Sequence, residues 1–222
     1  MKTIATLAAT ILIGLGLHAT PASAAERDSG SVVEQPRIVA FGDSITFGGG
    51  SSNPDRQSWP SRIGAIRAAV PSGCLVTVNG PTKPAIVTYG RVVLSKRPDI
   101  VIVAYGMNDL IHSTGHEIYA GLRKVERRNT ARGIVTYVAT LTPVGERVWG
   151  LNETRTELND LIRSRFAAWR VLDFDAALRT RTGRLDARFD SGDNLHPNAR
   201  GYKVMARLVA DKLGLNPVIF RP

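Results

Sequence analysis

Cysteine is nearly absent from this sequence, in which Cys74 is the only one among 222 residues. A single cysteine excludes any disulfide bond within the chain, even in an oxidising compartment. It begins the short apolar run "CLVTV". We therefore expect Cys74 to be a buried thiol at the start of a strand. The lack of a cysteine in the N-terminal segment also argues against a lipid anchor.

Apolar runs long enough to cross a membrane are also lacking. The run from Ile4 to Leu17 has 14 residues, whereas a spanning helix needs about 20. The segment "PASAAE" then offers an Ala-x-Ala cleavage site that ends at Ala24. This is the pattern of a secretory signal peptide at residues 1–24. We therefore expect a soluble mature protein without an integral membrane segment, either secreted or periplasmic.

Acidic residues are outnumbered, with 19 Asp and Glu against 29 Lys and Arg and a net charge of +10. The basic residues are scattered, and their densest cluster, "RKVERRNTAR" at 123–132, belongs to a segment with apolar residues at helical spacing. Its arginines are expected on the solvated face of a helix. Because no recognition motif accompanies the charge, we expect no nucleic-acid partner.

The rest of the chain alternates short β-branched apolar runs with longer segments of helical periodicity. The runs predict strands at 37–41, 74–78, 100–105, 134–141 and 170–174. The longer segments predict helices at 58–70, 83–96, 115–131, 151–167 and 198–213. This alternation is typical of an α/β fold with a mostly parallel five-stranded sheet and helices on both faces. We expect a loose lead-in at 25–35 and one domain at 36–222.

Polar residues suited to catalysis follow several of the predicted strands. Ligands of such sheets bind at the carboxyl ends of the strands. The sequences found there are "GDSIT" at 42–46, "NG" at 79–80 and "GMND" at 106–109, while "DNLHP" at 193–197 precedes the last helix. Their positions and residue types together indicate a catalytic site.

Acyl transfer through the Ser44 hydroxyl needs a base, because a free hydroxyl is a weak nucleophile at neutral pH. It also needs a group that fixes the tautomer of that base. Asp193 and His196 are three residues apart, so one turn of chain can bring both side chains to the same side. An oxyanion needs hydrogen-bond donors, which the Ser44 N–H, the Gly80 N–H and the Asn108 amide can supply.

Four sequence blocks together resemble the SGNH hydrolases, also called GDSL-type lipases and esterases. They are Gly-Asp-Ser, a strand-end glycine, Gly-x-Asn-Asp and Asp-x-x-His. The resemblance spans residues 37–213, with the blocks in the family's order. It implies that Ser44 is the nucleophile and that His196 is the base, held by Asp193. It implies that Gly80 and Asn108 are oxyanion donors. The fold it implies is a flavodoxin-like three-layer α/β/α sandwich.

The second block departs from the family's pattern, which usually reads Asn-x-Gly followed by another glycine. Here "VNGPTKP" places Gly80 directly after Asn79 and before Pro81. Proline has no N–H to donate, so the local geometry is expected to differ. The lack of Gly-x-Ser-x-Gly around Ser44 argues against the nucleophile elbow of the α/β-hydrolases.

A second Asp-x-x-His occurs at Asp109 and His112 and offers an alternative acid–base pair. With His116, these residues also form a conceivable metal triad. Gly115 interrupts the helix that would align the two histidines. We therefore expect His112 and His116 to be solvated polar residues near the mouth of the site, and no metal site.

We predict an exported serine hydrolase that cleaves carboxylic esters through an acyl-enzyme on Ser44, without a cofactor. Its expected partner is a small-molecule, lipid or glycan ester. The family resemblance leaves open simple esters, carbohydrate O-acetyl groups, lysophospholipids and thioesters. A non-catalytic glycan-binding protein and a metal-dependent hydrolase are the alternatives from other classes.

Overall fold

The computed structural model describes residues 35–215. The predicted signal peptide at 1–24 lies outside the described residues, as does all of the predicted lead-in except its last residue. The domain predicted at 36–222 is described as far as residue 215. Within the described range, no helix is long and apolar enough to cross a bilayer.

Five strands form the central sheet. They are β1 (Ile38–Gly42), β2 (Ile66–Ala69), β3 (Ile100–Ala104), β4 (Val135–Ala139) and β5 (Val171–Leu172). Their order across the sheet is β2-β1-β3-β4-β5, and every neighbouring pair is parallel. This is the doubly wound order of flavodoxin-like folds. The predicted α/β class and the five-stranded sheet are therefore confirmed.

Helices cover both faces of this sheet. They are α1 (Ser44–Phe47), α2 (Pro54–Gln57), α3 (Trp59–Arg62), α4 (Ala85–Val92), α5 (Gly115–Thr130), α6 (Asn152–Arg165), α7 (Phe174–Leu178) and α8 (Ala199–Leu213). Short 3₁₀ helices lie at Leu94–Lys96, Asn108–Ile111, Glu146–Leu151 and Ala168–Arg170. Helix α5 packs against α6, while α8 packs against α2, α3 and α7. Helices α5, α6 and α8 begin and end within two residues of their predicted bounds.

Aromatic side chains fill the space between the sheet and its two helical layers. The Phe41 ring of β1 lies 5.1 Å from that of Tyr89 on α4 and 4.7 Å from that of Tyr105, measured between centroids. The rings of Trp59 on α3 and Phe174 on α7 lie 5.6 Å apart. Right-handed crossovers place α3 and α4 on opposite faces, because the strand order reverses after β1. All five residues of β1 are buried, as expected for a central parallel strand.

The second strand is β2, so the strand predicted at 74–78 was wrong. The helix predicted at 58–70 was also wrong, since only α3 is helical there and β2 occupies its last part. Strand β2 is an edge strand whose Ile66 is 38% exposed. Its sequence "IRAA" lacks the apolar run that marks a strand buried on both faces. Pairing with β1 therefore decided its conformation.

The apolar run at 74–78 is an irregular segment of the chain. Cys74 and Leu75 are buried, as their apolar character requires, whereas Val78 is 61% exposed. Cys74 is thus a buried thiol as expected, but it does not start a strand. The backbone of this segment is satisfied by a side chain from elsewhere in the molecule, which is described below.

Candidate active site

The loops that leave β1, β2 and β3 meet at the carboxyl edge of the sheet. Gly42 at the end of β1 is in register with the last residues of β2 and β3. Ser44 begins α1 two residues after β1, and Asn108 begins a 3₁₀ helix four residues after β3. Parallel pairing therefore carries both side chains to the edge at which ligands bind in such folds.

Ser44, His196 and Asp193 form one hydrogen-bonded chain. The Ser44 Oγ lies 2.9 Å from His196 Nε2, and His196 Nδ1 lies 2.6 Å from Asp193 Oδ2. When Nδ1 carries its proton toward the carboxylate, Nε2 accepts a hydrogen bond from the hydroxyl. This is the arrangement that activates a serine as a nucleophile.

Asp193 holds both the backbone and the ring of His196. Its Oδ1 accepts the Leu195 N–H at 2.9 Å and the His196 N–H at 2.8 Å, while Oδ2 accepts from the ring. Although partial burial opposes the change, these hydrogen bonds from His196 lower the pKa of Asp193 to about 2. The carboxylate is therefore ionised near neutral pH and stabilises a protonated imidazole.

Asp190 also holds this loop through its side chain, and this role was not predicted from the sequence. Its Oδ1 accepts the N–H groups of Gly192 and Asn194, each at 3.0 Å. Asn194 adopts a left-handed conformation with φ of 69°, which asparagine tolerates better than most residues. The Asn194 carbonyl then accepts the Gly145 N–H at 2.8 Å. The "DSG" sequence at 190–192 is ordinary turn chemistry, and is the signal from which this turn was recognisable.

The glycine run after Ser44 is packed against the imidazole. A Cβ at Gly49 would lie 2.9 Å from His196 Cδ2, and one at Gly50 would lie 2.8 Å from His196 Cβ. Any larger residue would therefore displace the ring. The Tyr202 hydroxyl of α8 donates to the Gly49 carbonyl at 2.6 Å. Gly49 and Gly50 therefore pack closely against His196 and restrict the position of its ring.

Asp43 caps α1 and is almost completely buried. Its Oδ1 accepts the Ile45 N–H at 3.0 Å, the role expected of an aspartate at a helix N-terminus. Burial raises the pKa of Asp43 to about 7, while the Ile45 N–H and the charge of His196 oppose that rise. Its ionisation therefore falls near neutral pH, next to the catalytic candidates.

Asn108 contacts the turn that follows β2. Its Nδ2 donates to the Gly73 carbonyl at 2.9 Å, and the second hydrogen of the amide remains for another acceptor. The Gly73 N–H donates to the Val70 carbonyl at 2.9 Å. Ser44 is the first residue of α1, so its N–H has no partner within that helix. The Ser44 N–H and the Asn108 amide are therefore available oxyanion donors.

Gly80 does not join this group. It is exposed, and it lies in a turn closed by the bridge between Asn79 and Thr82. Within residues 35–215, no hydrogen bond connects Gly80 with Ser44, His196 or Asn108. The glycine that the structure places beside Asn108 is Gly73, which precedes Cys74 in the misassigned segment.

Asp109 anchors that segment. Its carboxylate accepts the N–H groups of Leu75, Val76 and Thr77 at 2.7, 2.9 and 3.1 Å. It also accepts the Thr77 hydroxyl at 3.1 Å. Asp109 is completely buried, so these bonds replace the water it has lost. Its side chain therefore holds the loop in place and makes no hydrogen bond to His112.

The two remaining histidines of the described chain lie on the surface. His112 is exposed, and His116 Nδ1 lies 2.8 Å from Glu157 Oε1. Within the described residues, no group of three or more His, Cys, Asp or Glu side chains is arranged to hold a metal ion. The alternative triad of Asp109, His112 and His116 is thus not assembled.

Comparison with known families identifies most of the domain. The model of the GDSL-like Lipase/Acylhydrolase family matches residues 40–204, which is well over half of the chain. The match contains Ser44, Asn108, Asp193 and His196. Among curated proteins, none matches this chain in sequence.

Solved structures share the fold at low sequence identity. A G-D-S-L family protein from Desulfitobacterium hafniense is 20% identical, with a TM-score of 0.67 over 80% of this chain and 99% of that one. A GDSL-like lipase from Bacteroides thetaiotaomicron is 16% identical, with a TM-score of 0.68 over 81% and 88%. An acetylxylan esterase from Geobacillus stearothermophilus is 16% identical, with a TM-score of 0.64 over 82% and 95%.

Proposed function

Because the chain belongs to the GDSL-like lipase/acylhydrolase family, we propose that it hydrolyses carboxylic esters through an acyl-enzyme formed on Ser44. Family membership makes the chain a serine ester hydrolase, and its substrates are esters. The proposal adds the residues and the covalent step. The observation that carries it is the continuous hydrogen-bonded chain from Ser44 through His196 to Asp193.

The first half of the reaction acylates Ser44. His196 Nε2 takes the hydroxyl proton as Oγ attacks the ester carbonyl, and ionised Asp193 stabilises the imidazolium that results. The tetrahedral intermediate collapses when the imidazolium gives its proton to the departing alcohol oxygen. Water then attacks the acyl-enzyme, with His196 again as base, and releases the carboxylic acid.

The oxyanion is stabilised by donors that are fixed before the substrate binds. These are the Ser44 N–H at the start of α1 and the free N–H of the Asn108 amide. Because the Gly73 carbonyl accepts from the Asn108 amide and the Gly73 N–H already donates to the Val70 carbonyl, we propose that the turn at Gly73 contributes by orienting that amide. Gly80, the donor expected from the sequence, is a less suitable candidate because no hydrogen bond among the described residues connects it with Asn108.

Related structures support both the mechanism and a carbohydrate ester as one candidate substrate. The acetylxylan esterase from Geobacillus stearothermophilus has been solved as two catalytic mutants, one replacing a serine and one replacing a histidine with alanine. Another neighbour is a carbohydrate acetylesterase family member from Sinorhizobium meliloti. Carbohydrate O-acetyl groups are therefore the second substrate class to test, beside simple esters.

We also propose that the protein is exported and cleaved after Ala24. This proposal depends on the apolar run and the Ala-x-Ala pattern of the N-terminal sequence. N-terminal sequencing of the protein from periplasm or medium should begin at Ala25. Retention of the full N-terminus in the cytoplasm would overturn it.

The test of the mechanism is a covalent one. A fluorophosphonate probe should label the wild-type protein once, on Ser44, as read by peptide mass spectrometry. Ser44→Ala should abolish labelling and lower kcat on p-nitrophenyl acetate by about 10³-fold or more. The matched control is Ser113→Ala, which removes another serine hydroxyl at the same edge of the sheet and should keep both activities.

Substrate class is resolved in the same assay. Rates are compared for p-nitrophenyl esters of increasing acyl length, for lysophospholipid and for acetylated xylan. Turnover by Ser44→Ala at the wild-type rate, or labelling at another residue, would exclude the proposed acyl-enzyme. Binding of acetylated xylan without turnover or labelling would favour the non-catalytic glycan-binding alternative.

A further inference from the structure

A cavity of about 330 Å³ lies beside the turn that follows β2. Its volume is at the lower end of the range found for small-molecule sites. Gly73 lines it, and the carbonyl of the same residue accepts the Asn108 amide. Neither Ser44 nor His196 is among its lining residues. The cavity is thus a space separate from the nucleophile, with the Gly73 turn between them.

The inner wall of the cavity is mostly apolar and contains one unsatisfied hydroxyl. Phe41, Val70 and Val92 supply apolar surface. Tyr105 also lines the cavity, is 1% exposed, and its hydroxyl has no hydrogen-bond partner among the described residues. The backbone of Val70 lies near enough to lower the pKa of Tyr105 slightly, but it does not form a hydrogen bond with the hydroxyl.

The Tyr105 hydroxyl is a hydrogen-bond donor without an acceptor among the described residues. Burial, followed by the charges of Asp43 and Asp109, raises the pKa of Tyr105, so the hydroxyl keeps its proton. Leaving a buried hydroxyl unpaired costs on the order of 1–3 kcal/mol. A ligand that presents an oxygen at this depth would remove that cost.

The mouth of the cavity carries positive charge. Lys83 and Arg91 both line it and both are exposed. Neither side chain forms an ion pair with a described residue, and the lining contains no Asp or Glu. Two unpaired cations at the entrance of an apolar space favour a ligand with an anionic head and an apolar body.

We propose that this cavity binds a small amphiphilic anion. Its head group, a carboxylate or a phosphate, would lie between Lys83 and Arg91. Its apolar body would contact Phe41 and Val92, and an oxygen at its inner end would accept from the Tyr105 hydroxyl. This site is additional to the proposed catalytic one, and binding is measurable whether or not the protein hydrolyses esters.

The binding test uses 7-oxooctanoate, whose ketone lies at the end opposite its carboxylate. Octanoate lacks the ketone, 7-oxooctanamide lacks the charge, and octyl phosphate replaces the head group. In titration calorimetry, 7-oxooctanoate should bind more tightly than octanoate and more tightly than 7-oxooctanamide. Losing the charge should weaken binding about tenfold, as expected for two exposed ion pairs.

Variants separate the two ends of the ligand. Lys83→Gln with Arg91→Gln should weaken 7-oxooctanoate about tenfold, whereas the control Lys124→Gln with Arg127→Gln makes the same charge change on α5 and should bind as wild type. Tyr105→Phe should bind octanoate as wild type does but lose the preference for the ketone. Because its unpaired buried hydroxyl disfavours the folded state, removing it in this variant should leave the melting temperature at or above the wild-type value.

Amide NMR shifts locate the bound probe. On addition of 7-oxooctanoate, shifts should concentrate at Gly73, Ala85 and Val92 and not at Ser44 or His196. If either 7-oxooctanoate or octyl phosphate binds in this way, the proposal stands and the relative affinities identify the preferred head group. No binding at millimolar concentration, unchanged affinity in the Lys83/Arg91 variant, or shifts confined to Ser44 would each overturn it. The Lys83/Arg91 result decides alone if Tyr105→Phe fails to fold.

Discussion

Two loops at the carboxyl edge of the sheet are held by interactions of very different range. In the loop at 190–197, Asp193 binds the N–H and the ring of His196, three residues away. Asp190 binds N–H groups two and four residues away. The shape of this loop therefore depends mostly on its own side chains.

The segment at 74–78 is held from a distance. Its N–H groups donate to the Asp109 carboxylate, more than thirty residues further along the chain. Among the described residues, no side chain of the segment itself accepts these N–H groups. The neighbouring turn at Gly73 is likewise fixed by Asn108. Short-range hydrogen bonds follow from residue spacing, whereas these contacts require that β2 and β3 end at the same edge of the sheet.

Asp193→Asn should have the largest effect, and it should affect activity far more than stability. We expect kcat/KM to fall by roughly 10³–10⁴-fold, because the amide no longer fixes the catalytic tautomer of His196. The unfolding free energy at pH 7 should fall by only about 1 kcal/mol, because the lowered pKa of Asp193 stabilises the folded state but its side chain is 48% exposed and screened by solvent. Ester hydrolysis and urea unfolding on the same preparation measure both, and a near-normal kcat/KM would remove Asp193 from the mechanism.

Asp109→Asn should give the opposite pattern. It weakens a buried acceptor of four hydrogen bonds, and we expect unfolding to become easier by about 2–4 kcal/mol. The loss of kcat should be only about tenfold (about 1.4 kcal/mol), because the effect reaches the site through Asn108 and the turn. Urea unfolding, with the exposed Asp211→Asn as control, measures the first quantity. If Asp109→Asn were as stable as that control, the long-range anchor would be wrong.

Asp43 provides a pH test of the locally capped serine loop. The folded protein keeps the proton on Asp43 up to its pKa of about 7, while the unfolded chain loses it near its ordinary value of 3.8. The unfolding free energy should therefore decrease as pH rises through this window, by about 1–2 kcal/mol once protein polarisability is included. Asp43→Asn should lack this component, so the difference between the two unfolding curves isolates it. A difference that is constant from pH 4 to 8 would contradict the raised pKa.

A pair of glycine substitutions tests which part of the second loop reaches the site. A Cβ at Gly73 would lie 2.9 Å from the Val70 carbonyl oxygen and 3.0 Å from the Tyr105 hydroxyl, so Gly73→Ala should shift the turn and lower kcat about tenfold (about 1.4 kcal/mol). Gly80 has open space around it but a φ of 57°, so Gly80→Ala should cost about 1 kcal/mol of stability and leave kcat unchanged. Steady-state kinetics of both variants decide, and the reverse result would restore Gly80 as the donor.

Much of the fold was predictable because the buried strands carry their own signal. The runs that became β1, β3 and β4 are apolar on both faces, and helices α5, α6 and α8 show clear amphipathic spacing. Strand β2 escaped prediction because an edge strand needs less apolar surface. The run at 74–78 looked like a strand because it is apolar, but only Cys74 and Leu75 enter the core and its backbone N–H groups donate to Asp109.

Residue types at short and regular spacing were sufficient to predict the α/β alternation, the family blocks and the local turn that joins Asp193 to His196. The folded arrangement established that Gly73 lies beside Asn108 and that Asp109 serves as an anchor. It also decided that Lys83, Arg91 and Tyr105 share one cavity. These relations join residues far apart in the chain, and only the parallel pairing of the strands and the burial of their loops bring such residues into contact.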